Sequence, residues 1–176
     1  LYESLCESVI KVSSARAAEM TKLLENTFRA TNIGLVNEMA IISQKLNIDI
    51  WEIVEAAKTK PFGFMPFYPG PGLGGHCIPV DPRYLDWKLE TLNSESKFIK
   101  LSEEINFSMP NFVVSRIKSI FINMNIKNPK ILILGVAYKP NVSDIRESPA
   151  LDIIKLLNQE NINFVYNDPM VSSIEI

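Results

Sequence analysis

Between Pro61 and Pro82 the chain places six prolines and five glycines in twenty-two residues. Proline breaks a helix interior and cannot donate to a sheet ladder, so this stretch supports neither a helix nor a central strand. It reads as one long loop. Loops of about twenty residues without secondary structure of their own are uncommon in compact domains and are usually functional. Its densest part, "GPGLGGHCIPVDP" from Gly70 to Pro82, holds the only histidine of the chain and one of its two cysteines.

Helical patterning flanks the loop. From Ser13 to about Leu46, Met20, Leu24, Phe28, Leu35, Met39, Ile42 and Leu46 recur at mostly helical intervals without a proline, which predicts one long helix. Asp49 can cap a second helix from Ile50 to about Lys58. Helical patterns resume from Pro82 to Leu92 and from Ser96 to about Asn125, with Pro110 expected to break or kink the latter. Beyond Asn128 and Pro129 the pattern changes. "KILILGVAY", Lys130 to Tyr138, reads as a strand, "PALDIIKLLNQ" as a helix with Pro149 in its first turn, and "NFVYND" as a second strand. The expected fold class is α/β overall: an α-helical domain with a long helix over residues 1–128, then the start of a parallel α/β domain over 129–176. A lone β-α-β unit leaves sheet edges unpaired and one face uncovered, so the sequence reads as a fragment.

Charge and composition narrow the function. With 47% apolar residues, 176 positions can build a real core. Eighteen basic against twenty acidic residues, with no Lys/Arg cluster, argue against nucleic acid and against an anionic membrane surface. The longest apolar run, Ile131 to Tyr138, is far short of the roughly 20 residues that span a bilayer. The acidic start "LYESLCESVI" lacks the features of a signal peptide, and two cysteines make no disulfide framework, so reduced thiols and a cytoplasmic location are expected.

Gly70, Gly72 and Gly75 spell G-x-G-x-x-G, but Pro66 and Pro69 stand where a dinucleotide turn needs a buried strand, and Pro79 interrupts the helix it must open. The glycines can let the backbone pass close to a ligand, or merely make tight turns. Cys77 lies in a polar, glycine-rich setting with Asp81 four residues on, which suits an exposed nucleophile; an unpaired cysteine is otherwise a small buried hydrophobe. Cys6, beside Glu3 and Glu7, reads as packing. His76 and Cys77 supply too few ligands for zinc, and no metal is expected. A cysteine hydrolase would need His76 within reach of Cys77, although adjacent side chains in an extended segment point apart. Lys22 and Asn26 share one face of the long helix, and Asn32 and Asn37 add amides where asparagine is a weak helix former. After the first strand, Lys139, Asp144 and Arg146 occupy the end of a parallel strand, where open α/β sheets bind ligands; two cations there suit a phosphate, or form a solvated charged loop.

Together "AEMTKLLENTFRATNIGLVNE", "GPGLGGHCIPVDPRYL" and "LGVAYKPNVSDIRESPALDII" resemble signature segments of the UDP-glucose/GDP-mannose dehydrogenase family, in order and over nearly the whole chain. "GFMPFYPGPGLGGHCIPVDPRYLDWK" is most similar to the branch acting on UDP-N-acetylhexosamines, with N-acetylglucosamine first and N-acetylmannosamine beside it. The resemblance implies a Rossmann-like second domain that binds UDP, and a four-electron oxidation of the sugar C6 alcohol to a carboxylate with two NAD molecules. It implies Cys77 as the nucleophile that forms a thiohemiacetal and then a thioester. Lys22 and Asn26 would stabilise the reacting oxygen, and Asp81 would activate water or the lysine. Gly74, Gly75 and Lys139 would contact the substrate, and Arg146 the cofactor. A homodimer through the long helix is implied as well. In the UDP-glucose branch a lysine stands where this chain has Val80, and the family's N-terminal Rossmann domain and catalytic glutamate do not precede Leu1, so the fragment alone is expected to be inactive. The rival expectation is a helical dimerisation or nucleotide-binding module without chemistry.

Overall fold

A computed structural model describes residues 2–174; Leu1, Glu175 and Ile176, at the outer ends of the two expected domains, lie outside them. The long helix, α1, runs Ala15–Leu46. Ser14 caps it by accepting from the Ala17 N–H. Asn47 ends it in a left-handed conformation at φ 56°, which asparagine tolerates better than most residues. Asp49 caps α2, Ile50–Ala57, through the Trp51 N–H, and α2 folds back so that Ile50 and Val54 pack on Val36, with Phe67 of the loop beside them. The loop itself is irregular from Lys58 to Val80, as the prolines require. Helix α3, Asp81–Glu90, carries Pro82 in its first turn, and α4 spans Lys97–Asn123.

One expectation is narrowed and one needs correction. Of the two outcomes expected at Pro110, a break does not occur: α4 continues through it with the ring buried. Packing against α1 and α5 outweighs the local cost of one lost backbone bond. The first strand, β1, is Lys130–Leu134 rather than reaching Tyr138. Gly135 turns the chain at φ 86°, and the Val136 and Ala137 N–H groups, which a longer strand would spend on a neighbour, donate to the Asp168 carboxylate at 2.8 and 3.2 Å.

β1 pairs in parallel with β2, Asn163–Asn167, in the register Lys130↔Asn163 to Leu134↔Asn167, and α5, Pro149–Gln159, crosses between them. Val136, Ile154 and Val171 form the core of this lobe. Helix α4 packs on both α1 and α5 and so joins the helical lobe to the β-α-β lobe, with Lys118 bonded to Glu160 at 2.7 Å on the rim. The apolar stripe of α1 faces outward in the single chain: Met20, Leu24, Phe28, Leu35, Met39, Ile42 and Leu46 are all exposed, while Asn26, Ala30, Gly34, Val36, Asn37 and Ser43 are buried. Among the described residues no helix is long and apolar enough to cross a membrane.

Candidate functional site

The loop is fixed at its entry by amides that sequence alone left unexplained. Asn37 is fully buried; its Nδ2 donates to Asn106 Oδ1 at 2.8 Å and its Oδ1 accepts the Gly70 N–H at 2.9 Å. Asn106 in turn donates to the Ala30 carbonyl of α1 at 3.1 Å. Asn32 takes no part, donating instead to the Phe28 carbonyl one turn back. Two residues past Gly70, Gly72 (φ 133°) crosses so near α4 that a Cβ would stand 3.2 Å from the Asn106 carbonyl oxygen.

Farther on, the loop rests on the β1–α5 connection. Gly75 is buried at φ 91°, and a Cβ there would meet the Tyr138 ring at 2.9 Å; Gly74 lies between Tyr138 and Pro149. Glycine is required at residue 75 on both counts.

Cys77 is exposed, with a free thiol. Its carbonyl accepts the backbone N–H groups of Asp81 at 2.8 Å and Val80 at 3.2 Å, which sets the thiol just ahead of α3. Asp81, the first residue of α3, receives Asn26 Nδ2, and Asn26 Oδ1 receives the Arg29 guanidinium. Since a guanidinium only donates, Arg29 fixes the amide so that its NH2 faces Asp81. The structure therefore joins the Asp81 and Asn26 side chains and ties Cys77 to Asp81 through its backbone. Asn26 is 1% exposed and spent on these two partners. Lys22 is not drawn in: its ammonium, on a 62% exposed side chain, pairs with Glu25 at 3.2 Å.

On the facing lobe, Lys139 places Nζ 5.3 Å from the centre of the Tyr138 ring. Arg146 grips Asp144, Nη2 to Oδ2 at 2.7 Å and Nε to Oδ1 at 3.0 Å, and keeps an exposed guanidinium. That guanidinium first, and His76 second, hold the Asp144 carboxyl well below the usual carboxylate range. His76 Nε2 lies 3.0 Å from Asp144 Oδ2, and its ring meets Tyr138 edge-on. No hydrogen bond joins His76 to the Cys77 thiol among the described residues, so the hydrolase pair is not assembled. The described residues also form no metal-ligating cluster of three or more His, Cys, Asp or Glu.

Sequence reasoning missed Arg29, Tyr138 and the Asp144–His76 bond, because each acts through a partner distant in the chain or through packing. Cys6, read as packing, is exposed: the segment before α1 buries nothing among its described residues.

Comparison with known proteins assigns both parts of the chain to one family. Residues 16–108 match the central domain of the UDP-glucose/GDP-mannose dehydrogenase family, and residues 132–176 match its UDP binding domain. A UDP-N-acetyl-D-mannosamine dehydrogenase of Campylobacter jejuni is 44% identical over 161 residues, covering 92% of this chain and 38% of the relative. One of Methanococcus vannielii is 39% identical over 175 residues, covering 99% and 40%. Among solved structures, the UDP-D-ManNAc dehydrogenase of Pyrococcus horikoshii superposes with a TM-score of 0.88 at 34% identity, over 99% of this chain and 41% of that one. The chain thus spans about two fifths of the length of these relatives. Two matched domains in order, on a fold shared with these dehydrogenases, mean that this chain belongs to the UDP-glucose/GDP-mannose dehydrogenase family.

Proposed function

We propose that the chain is the helical centre, residues 1–128, and part of the UDP-binding domain, 129–176, of a dehydrogenase that oxidises the C6 alcohol of a UDP-N-acetylhexosamine to the uronic acid. The similar relatives are named for N-acetylmannosamine rather than the N-acetylglucosamine that the loop wording put first, so the manno sugar is the preferred substrate. The observation that carries the reading is the exposed Cys77 thiol set one turn ahead of Asp81, whose carboxylate Asn26 and Arg29 hold in place.

In this reading Cys77 attacks the C6 aldehyde to give a thiohemiacetal, which on losing a hydride becomes a thioester, and water releases the acid and regenerates the thiol. Asp81 accepts the proton of that water. Asn26 keeps Asp81 aimed at the loop, and Lys22, one turn earlier on α1, turns from Glu25 to the reacting oxygen when substrate is present. Gly74 and Gly75 let the loop lie on Tyr138 and Pro149 and so bring the substrate-contacting backbone into place; Lys139 meets the nucleotide and Arg146 lies at the cofactor edge. NAD supplies the hydride acceptor in both oxidations. The G-x-G-x-x-G of residues 70–75 has no strand before it and no helix starting within it, so it does not fit a dinucleotide pyrophosphate; NAD is held mainly by residues other than these.

The exposed apolar stripe of α1 fits burial by a second copy, giving a homodimer. Two free thiols suit the reducing cytoplasm. The test compares rates of iodoacetamide capture: Cys77 should outpace Cys6, whereas a dimerisation or nucleotide-binding module without chemistry would show equal rates. Assay of the complete dehydrogenase on UDP-N-acetylmannosamine, UDP-N-acetylglucosamine, UDP-glucose and GDP-mannose then fixes the sugar.

A further inference from the structure

His76 sits between the thiol and the nucleotide-facing turn. The residue before it is pressed on Tyr138, the residue after it is Cys77, and its own Nε2 reaches Asp144 across the interface of the two lobes. Asp144 is shared: Arg146 holds both carboxylate oxygens from the other side. An ionised carboxylate only accepts, so Nε2 carries the hydrogen and donates it. Besides Asp144, the charged and titratable groups around His76 are Tyr138, Lys139 and Arg146 on the β1–α5 connection and Cys77 on its own loop.

We propose that His76 is a positioning residue, coupling occupancy of the Lys139–Arg146 turn to the Cys77 thiol through its hydrogen bond to Asp144. The inference rests on the UDP-sugar reading and adds how the two halves of the site communicate. A diphosphate held by Lys139 bears on Tyr138, over whose ring that ammonium sits, and its charge acts on the neighbouring exposed guanidinium of Arg146 and so on Asp144. Any resulting shift of Asp144 passes to His76 by one hydrogen bond and to Cys77 by one peptide unit. Glycine packing on Tyr138 alone would dock the loop without this dependence.

The test uses the complete dehydrogenase that carries this chain, with UDP as probe, calorimetry to establish saturation for every variant, and mass spectrometry to follow iodoacetamide capture of Cys77 with Cys6 as internal reference. Saturating UDP should slow capture of Cys77 about fivefold or more, in the range of ordinary site-to-site coupling, and leave Cys6 unchanged. His76→Ala should bind UDP yet lose that protection. His76→Gln, whose amide nitrogen can occupy the place of Nε2, should restore it, while His76→Asn, one carbon shorter, should not. Equal protection in wild type and His76→Ala overturns the proposal. UDP that binds without altering Cys77 in the wild type overturns the coupling and leaves the UDP-sugar reading standing; failure to bind UDP at all overturns that reading and the coupling with it.

Discussion

Asn37→Ala tests whether the buried amides, rather than the prolines, hold the loop in place. Asn37 has no exposed surface, and both ends of its amide are used. Truncation removes two hydrogen bonds and leaves the buried Asn106 Oδ1 and the half-buried Gly70 N–H without those partners. A typical net hydrogen bond contributes about 1 kcal/mol, and a buried polar group left unpaired costs about 1–3 kcal/mol, so a loss of roughly 3 kcal/mol is expected after partial relaxation. For a chain of this size that lowers the Tm by about 6–12 °C. Asn37→Asp should be worse at neutral pH, since it sets a carboxylate against Asn106 Oδ1, and turning the Asn106 amide over would break its bond to the Ala30 carbonyl. Thermal unfolding followed by circular dichroism measures the loss, and hydrogen exchange at Gly70 locates it. A Tm within about 1 °C of wild type for Asn37→Ala, with Gly70 still protected, would refute the assignment of the loop entry to this amide.

Other outcomes follow from single contacts. Cys77→Ser in the complete dehydrogenase should cut acid formation by several orders of magnitude while UDP-sugar affinity by calorimetry stays within a few-fold; near-normal turnover would make the thiol structural. Gly75→Ala meets both a positive φ and the Tyr138 ring, so Tyr138→Ala should relieve only part of its Tm loss, and full rescue would show that φ is not limiting. The Asp168 carboxyl is held below its ordinary range by the N–H groups of Val136, Met170 and Ala137. Because its folded pKa is depressed, its contribution is complete above the unfolded carboxylate value of about 3.9 and is lost as pH falls through the folded value, so Asp168→Asn should flatten the acid limb of Tm against pH. Leu24→Glu with Leu35→Glu, both exposed on α1, should convert a dimer to a monomer in light scattering; a monomeric wild type would remove the dimer from the proposal.

Local rules made much of the fold legible. Ser14, Asn47 and Asp49 act as caps where such residues belong, Pro149 opens α5, and the β-α-β order was readable from strand and helix patterns. The faces of α1 were not readable in this way. Its leucines and methionines follow a helical period whether they meet their own domain or another chain, and here the periodic stripe is the exposed one. The site divides along the same line. Cys77 and Asp81 announced themselves by setting, four residues apart in a loop that could not be regular. Arg29 gave no signal, because its role exists only once Asn26 faces Asp81 across fifty-five residues.

Pro110 shows how one residue can mislead locally and still explain the fold. A proline at that position has no N–H for the carbonyl four residues earlier, and that carbonyl belongs to Asn106. The loss would be a defect in an isolated helix. Here the deprived carbonyl is the atom that Gly72 crosses, and the Asn106 side chain on the same residue bonds α1 and, through Asn37, the loop entry. A helix surface that a glycine backbone crosses at this distance is one on which an irregular segment can lie closely. The prolines of the loop prevent it from making a ladder of its own, and the proline of α4 leaves the surface that receives it. The loop entry is held in register because both departures from regular structure meet at Asn106, which neither segment specifies alone.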